Sequence, residues 1–192
     1  MIHTLLLRFS NPKLYAVVKA LKELRGLVHY CVTDEIPGRN RVSKSKSRVS
    51  DIYQKARDKY SRSRHTRLIH DIQQLLVLLE VAFLEIRDYN LVRTREMIRF
   101  FAVYLSILDA LREAVANSFS KSGEAAARAG KLIADGRKLL RSLRADTLSR
   151  TDNLSDRMTL LTLYSRFETS LSEAEKLSRN ITSVKYKKRS FI

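Results

Sequence analysis

The stretch 66-TRLIHDIQQLLVLLEVAFLEIRD-88 decides the fold. Ile69, Ile72, Leu75, Leu76, Leu79, Ala82, Phe83 and Ile86 recur every three or four residues, and no Gly or Pro interrupts them. That is the period of an amphipathic helix. Val77, Leu78, Val81 and Leu84 add apolar positions off the stripe, so burial on more than one side is expected. Its most apolar part, 75–86, is interrupted by Glu80 and Glu85 and is shorter than the ~20 residues of a bilayer span, so no transmembrane helix is expected.

The same period runs in both directions from this stretch. Downstream, a helix over about 92–118 rests on Met97, Ile98, Phe101, Tyr104, Leu105, Leu108, Leu111 and Val115. Another, over about 122–145, rests on Ala125, Ala126, Ala129, Leu132, Ile133, Leu139, Leu140 and Leu143, with Gly130 and Gly136 allowing close approach. After a polar loop at 146-DTLSRTDN-153, the last helix, about 154–182, uses Met158, Leu161, Tyr164, Phe167, Leu171, Ala174, Leu177 and Ile181. Upstream, Asn11-Pro12 reads as an N-cap and first helical residue, opening a helix over about 12–26, with Gly26 a candidate stop and 27-LVHYCV-32 readable either as its last turn, to 31, or as an extended segment. Five Gly and two Pro in 192 residues cannot supply the turns of a sandwich or barrel. The chain is therefore expected to be all-α: a four-helix antiparallel bundle preceded by an N-terminal helix and a basic, partly helical arm. The divisions are 1–38 (helix and turn), 39–67 (arm), 68–184 (bundle) and 185–192 (basic tail).

Charge defines the arm. Lys and Arg number 37 against 20 Asp and Glu, a net +17. Residues 39-RNRVSKSKSRVSDIYQKARDKYSRSRHTR-67 hold eleven basic and two acidic side chains, and 176–192 hold six basic and none acidic. These two segments carry +15 of the total, whereas a solubility surface would spread its Lys among Glu. The pattern implies a polyanion partner. The first part of the arm alternates Ser with Lys and Arg and shows no apolar face. The second has Val49, Ile52, Tyr53, Ala56 and Tyr60 on one side of a helix over 50–63, with Arg48, Lys55, Lys59 and Arg62 in a separate stripe.

The candidate nucleic-acid-binding residues are Arg39, Arg41, Lys44, Lys46, Arg48, Lys55, Arg57, Lys59, Arg62, Arg64 and Arg67 in the arm, with Lys185, Lys187, Lys188 and Arg189 in the tail. Cations and Ser hydroxyls bond phosphate without reading sequence, so binding is expected to be sequence-independent and salt-dependent. Tyr53 and Tyr60 could stack on bases of a single strand or pack on the body. Duplex DNA is favoured over RNA, and self-association into a multi-subunit assembly is expected. The apolar ends, Met1–Phe9 and Phe191-Ile192, suit subunit contacts or fold back on the bundle.

Catalytic and metal chemistry lack their residues. His3, His29, His65, His70 and Cys31 show no Cys-x-x-Cys or His-Glu-x-x-His spacing, so no metal or cofactor is expected. The single Cys excludes an intrachain disulfide. No phosphate loop or Gly-x-Ser-x-Gly occurs, and the Glu spacings do not make a di-iron pattern, so no enzyme is expected. The opening MIHTLLLRF is too short for a signal h-region. A virion or cytoplasmic location follows, without secretion by signal peptide.

The order of an N-terminal helix, the basic segment 39–67 and a helical body resembles the coat proteins of filamentous and rod-shaped archaeal viruses. That resemblance implies a basic helical segment wrapping duplex DNA and a body packing against neighbours in a helical shell. An alternative is a helical ribonucleoprotein subunit, such as a CRISPR effector small subunit or a ribosome-associated protein. A third is an interaction module without nucleic acid: 164-YSRFETSLSEAEKLSRNI-181 is similar to the closing helix of phosphate-uptake regulator bundles, with Thr, Ser and Arg where that family has acidic metal ligands. An anionic membrane surface is a further acceptor for the arm.

Overall fold

The computed structural model describes the backbone of residues 11–33, 36–61, 63–89, 91, 94–116, 119–151 and 153–186, and their side chains except 119–122, 150 and 184–186. Six helices account for nearly all of it: α1 (Pro12–Thr33), α2 (Arg39–Tyr60), α3 (Arg64–Asp88), α4 (Arg95–Ala116), α5 (Phe119–Arg150) and α6 (Leu154–Tyr186). The all-α expectation holds.

Local chemistry explains the ends. Asn11 caps α1 through a 3.2 Å bond from the Leu14 amide to its Oδ1, as its sequence predicts. Gly26 does not stop α1, which runs through Thr33 because Leu27, Val28 and Cys31 continue its buried stripe. Ser63 accepts from the Thr66 amide at 3.2 Å and caps α3. Between α2 and α3, Ser61 takes φ 52° and ψ −149°, a region that favours glycine, to turn the chain tightly.

The packing differs from a bundle with appendages. The backbones of α3 and α4, consecutive in the chain, do not lie side by side; α1 contacts both helices, and α3 reaches α4 through the Phe83 and Phe101 rings, 6.0 Å apart. Arg25 of α1 donates to Asp109 of α4 at 2.8 Å, across the α1–α4 interface. The first helix is thus part of the body. So is the basic segment. α2 is one continuous helix from Arg39, where the sequence suggested a start near Ser50. Its buried stripe is Val42, Ser45, Val49, Ile52 and Ala56, and it packs on α1 and α3. The loop expected at 146–153 is also shorter, because α5 continues to Arg150 with Thr147 buried beside Tyr164.

Two three-helix units emerge. α1, α2 and α3 contact one another, as do α4, α5 and α6, and the units meet through α1 on α4 and α3 on α6. One constant shift carries the buried Val17, Val18, Leu21, Leu24, Leu27, Val28 and Cys31 of α1 onto the buried Phe100, Phe101, Tyr104, Ile107, Ala110, Leu111 and Ala114 of α4. Another carries Leu68, Ile69, Ile72, Leu75, Leu76, Leu79, Ala82, Phe83 and Ile86 of α3 onto Leu163, Tyr164, Phe167, Ser170, Leu171, Ala174, Leu177, Ser178 and Ile181 of α6, all buried. Polar contacts obey the same exchange. Asn180 donates to Asp71 at 2.8 Å, and Arg166 donates to Glu85 at 2.5 Å. The shift that takes Asp71 to Arg166 takes Glu85 to Asn180, so each pair is the image of the other. The units are related by a pseudo-twofold axis running through the α3–α6 contact, a repeat that no sequence similarity betrays.

The core of the second unit is aromatic and is joined by Phe83 of the first. Phe100 stacks on Phe167 at 4.6 Å between ring centroids, and Phe83 and Phe101 close around them. Tyr104, fully buried, donates its hydroxyl to the Ser170 carbonyl at 3.3 Å; burial pushes its ionisation far above the ordinary phenol range. Gly136 of α5 lies against α6: a Cβ there would stand 3.3 Å from both Leu171 methyls. At the far end of α6 the expected pattern fails. None of the residues 154–162 is buried, and Met158 is 58% exposed although its spacing marked it for the core.

Candidate nucleic-acid interface

The basic residues of α2 divide by the side of the helix they occupy. Arg41, Lys44, Arg48, Lys55 and Lys59 fall within about 60° of one another around the axis. They lie on the flank next to α1, with which α2 runs antiparallel. Three contacts set that register: Arg41 lies over the Tyr30 ring at 3.9 Å from its centroid, Arg48 pairs with Glu23 at 3.2 Å, and Lys13 lies 5.1 Å from the Tyr60 ring centroid, which Lys59 of α2 also approaches at 5.7 Å. Lys19, exposed and one turn before Glu23 on the same face of α1, extends the row. From Arg41 to Lys59 the strip is ~27 Å long at 1.5 Å per residue. Glu23 is the acid that faces it in these contacts. Among the described residues, Arg41, Lys44, Lys55 and Lys59 form no ion pair within 4.0 Å.

On the other flank, next to α3, the cations are used internally. Arg39 pairs with Asp88 at 3.3 Å and Lys46 with Glu80 at 2.6 Å, fixing α2 against α3. Arg57 lies 3.7 Å from its neighbour Asp58, away from the strip. Arg64 and Arg67 are exposed in the first turn of α3 rather than on α2. The described candidate residues therefore do not lie on one face.

The two tyrosines are half-buried against the core. Tyr53 packs on His70, their rings 5.7 Å apart, which places His70 in a packing contact. Tyr60 supports Lys13 and Lys59. Base stacking on either ring would displace these neighbours. Arg62, Lys187, Lys188, Arg189, His3, Phe191-Ile192 and Met1–Phe9 lie outside the described residues, as does the side chain of Lys185.

Sequence reasoning found Arg48, Lys55 and Lys59 as a stripe. It missed Arg41 and Lys44 as members because the first half of α2 was read as unpatterned. Lys13 and Lys19 were missed because the charge of α1 is unremarkable in sequence. The signal for the first two was present: Val42, Val49, Ile52 and Ala56 define a helical face from which their angles follow.

The structurally equivalent helix makes the strip conspicuous. The shift that lays the buried Ser45, Val49, Ile52 and Ala56 on the buried Ala129, Ile133, Gly136 and Leu140 of α5 carries Arg41, Lys44, Arg48, Lys55 and Lys59 onto Ala125, Arg128, Leu132, Leu139 and Leu143. Where α5 spends those positions largely on apolar packing, α2 spends them on cations. Two of α5's own cations are paired at its interface with α6: Arg137 meets Glu175 at 2.8 Å and Glu168 at 3.2 Å, and Arg144 lies 3.7 Å from Glu168, while Lys131 and Arg141 are exposed. Arg128 pairs with Glu113.

Among the described residues, no group of three His, Cys, Asp or Glu could hold a metal ion, and no helix is long and apolar enough to cross a membrane. Comparison with protein families, with curated proteins and with solved structures finds no match to this chain.

Proposed function

We propose that the chain is a sequence-independent nucleic-acid-binding structural protein whose contact surface is the α1–α2 strip. The observation that carries this reading is the row Arg41, Lys44, Lys55 and Lys59, unpaired within the described residues, with Lys13 and Lys19 alongside on α1. A row ~27 Å long covers most of one ~34 Å duplex turn. Cations held on a rigid helix contact phosphate oxygens without ordering a loop, and they carry no base-specific geometry. The packed tyrosines favour backbone contact over base stacking, and so a duplex over a single strand. The helical body then serves as the subunit of a DNA-coating assembly of the nucleocapsid type. A ribonucleoprotein subunit is the reading to be separated from it.

Fluorescence anisotropy on labelled duplex DNA and single-stranded RNA, across a salt series, tests this. About six phosphates neutralised by the strip give a log–log salt slope near −5 on duplex DNA. Regular filaments by electron microscopy of the same mixture support a coat; discrete particles formed with RNA alone support the ribonucleoprotein subunit. No binding at low salt overturns the reading.

A further inference from the structure

We propose that the tip of the α5–α6 hairpin is a self-association surface, by which two copies of this chain pair tip to tip. The proposal gives the expected subunit contact its residues. It rests on the self-association part of the reading above and not on the cationic strip.

The tip is an overhang. α5 and α6 have 32 and 33 residues, against 22 to 25 for the other helices, and the excess projects past the ends of α3 and α4. Two contacts fix this alignment: Arg166 of α6 pairs with Glu85, one turn before α3 ends, and Phe167 packs on Phe100, in the second turn of α4. Residues 154–159 therefore lie beyond both partners, and Leu160 begins the packing against the core. The equivalent α2–α3 hairpin ends in the tight Ser61 turn and has no such extension.

This protrusion is built rather than loose. The Arg157 guanidinium donates twice to the Thr151 carbonyl, at 2.6 and 3.1 Å, and the Ser155 amide donates to Asn153 Oδ1 at 2.9 Å. These bonds hold the turn and leave Leu148, Leu154 and Met158 at 54, 68 and 58% exposure. Leu154, Met158 and the half-buried Leu161 share one face of α6, turned away from the core-facing Leu163 and Phe167. Leu154 and Met158, exposed one turn apart on one face, with Leu148 exposed near the end of the neighbouring α5, mark an interface.

Charge selects the occupant. A second copy of a +17 chain is repelled at most faces, but residues 145–162 carry three acidic and two basic side chains. The same balance disfavours a polyanion. An isologous contact places apolar side chain on apolar side chain and leaves both α1–α2 strips outward. The resulting dimer is bivalent for a long polyanion, which raises its apparent affinity by about 10²-fold or more over one strip.

Sedimentation velocity of the full chain without nucleic acid, at high salt to screen the net charge, tests the proposal independently of DNA binding. A monomer–dimer equilibrium is expected in the ~10–100 µM range of a small interface. L154D/M158D should abolish it while melting like the wild type, since neither side chain is buried. Met158→Cys should give an oxidatively cross-linked dimer, and Lys131→Cys, on the flank of α5, should not. A wild-type chain that stays monomeric, or a double variant that dimerises equally, overturns the proposal. Flotation with anionic vesicles that depends on Leu154 and Met158, in a chain that does not dimerise, overturns it in favour of lipid insertion.

Discussion

The two halves of this molecule share a buried frame and differ in what each adds to it. In α1–α3 the outer helix, α2, carries five cations along the groove with α1. In α4–α6 the outer helix, α5, puts Ala125, Leu132, Leu139 and Leu143 at four of the same places and pairs Arg128, Arg137 and Arg144 with acids of α4 and α6. The second half in turn has the apolar overhang that the first lacks. Positions that coincide between the halves are those the fold requires, because both units bury them against the same kind of neighbour. Positions that diverge are free of that requirement. The strip and the tip are both of the second kind, and for this reason they are read as functional surfaces rather than as packing.

The shared frame is the part with the largest expected effects. Leu24 and Ile107 are equivalent and fully buried, so Leu24→Ala and Ile107→Ala should each cost about 2–5 kcal/mol in chemical denaturation. Both should melt in one cooperative transition, because the core is continuous across the units. Two separate transitions would instead make the halves independent domains.

The divergent strip should respond in binding and not in folding. Replacing Arg41, Lys44, Lys55 and Lys59 by Gln should weaken duplex binding about 100-fold at moderate salt and reduce the salt slope by about 3–4. Circular dichroism should stay unchanged, since none of the four is buried. Replacing Lys131 and Arg141 on α5 should change affinity only a few-fold by comparison.

The mirrored polar pairs test the axis itself. Asp71→Ala leaves the Asn180 amide without its partner, and Arg166→Ala leaves the Glu85 carboxylate, 17% exposed, without its cation. Each should cost about 1–3 kcal/mol. A cost confined to one pair would show that the exchange relation is geometric only.

The smallest effect concerns α5. The Arg137 guanidinium bonded to Glu175 holds that carboxyl below its ordinary value of 4.5. The folded state therefore binds this proton less readily than the unfolded chain. Its contribution is present above pH 4.5 and is lost as pH falls through the lower folded value. Glu175→Gln should flatten the acid limb of a stability–pH profile slightly and leave neutral stability nearly unchanged, because the pair is largely solvated.

Much of the fold was legible because helical period is a local property. Ile69 through Ile86 announced α3, and Asn11-Pro12 announced the start of α1. The first half of α2 was not legible because Ser45, small and polar, stands in the buried stripe between Val42 and Val49 and hides a regular spacing. The contact of α1 with both α3 and α4 was not legible because period says which face is buried and not against what. Met158 misled for a related reason: it extends the spacing of a helix past the point where its partners end. Of the site, the charge of 39–67 was evident. Dividing that charge into a flank paired with α3 and a flank toward α1, where among the described residues only Arg48 is ion-paired, needed the neighbours.

Lysine footprinting on the complex with duplex DNA tests the central claim most directly. Acetylation of the saturated complex, read by mass spectrometry against the free chain, should show Lys13, Lys19, Lys44, Lys55 and Lys59 protected, with Lys131, Lys138 and Lys176 as reactive as before. Protection of the α5 and α6 lysines with the strip left open would contradict the account.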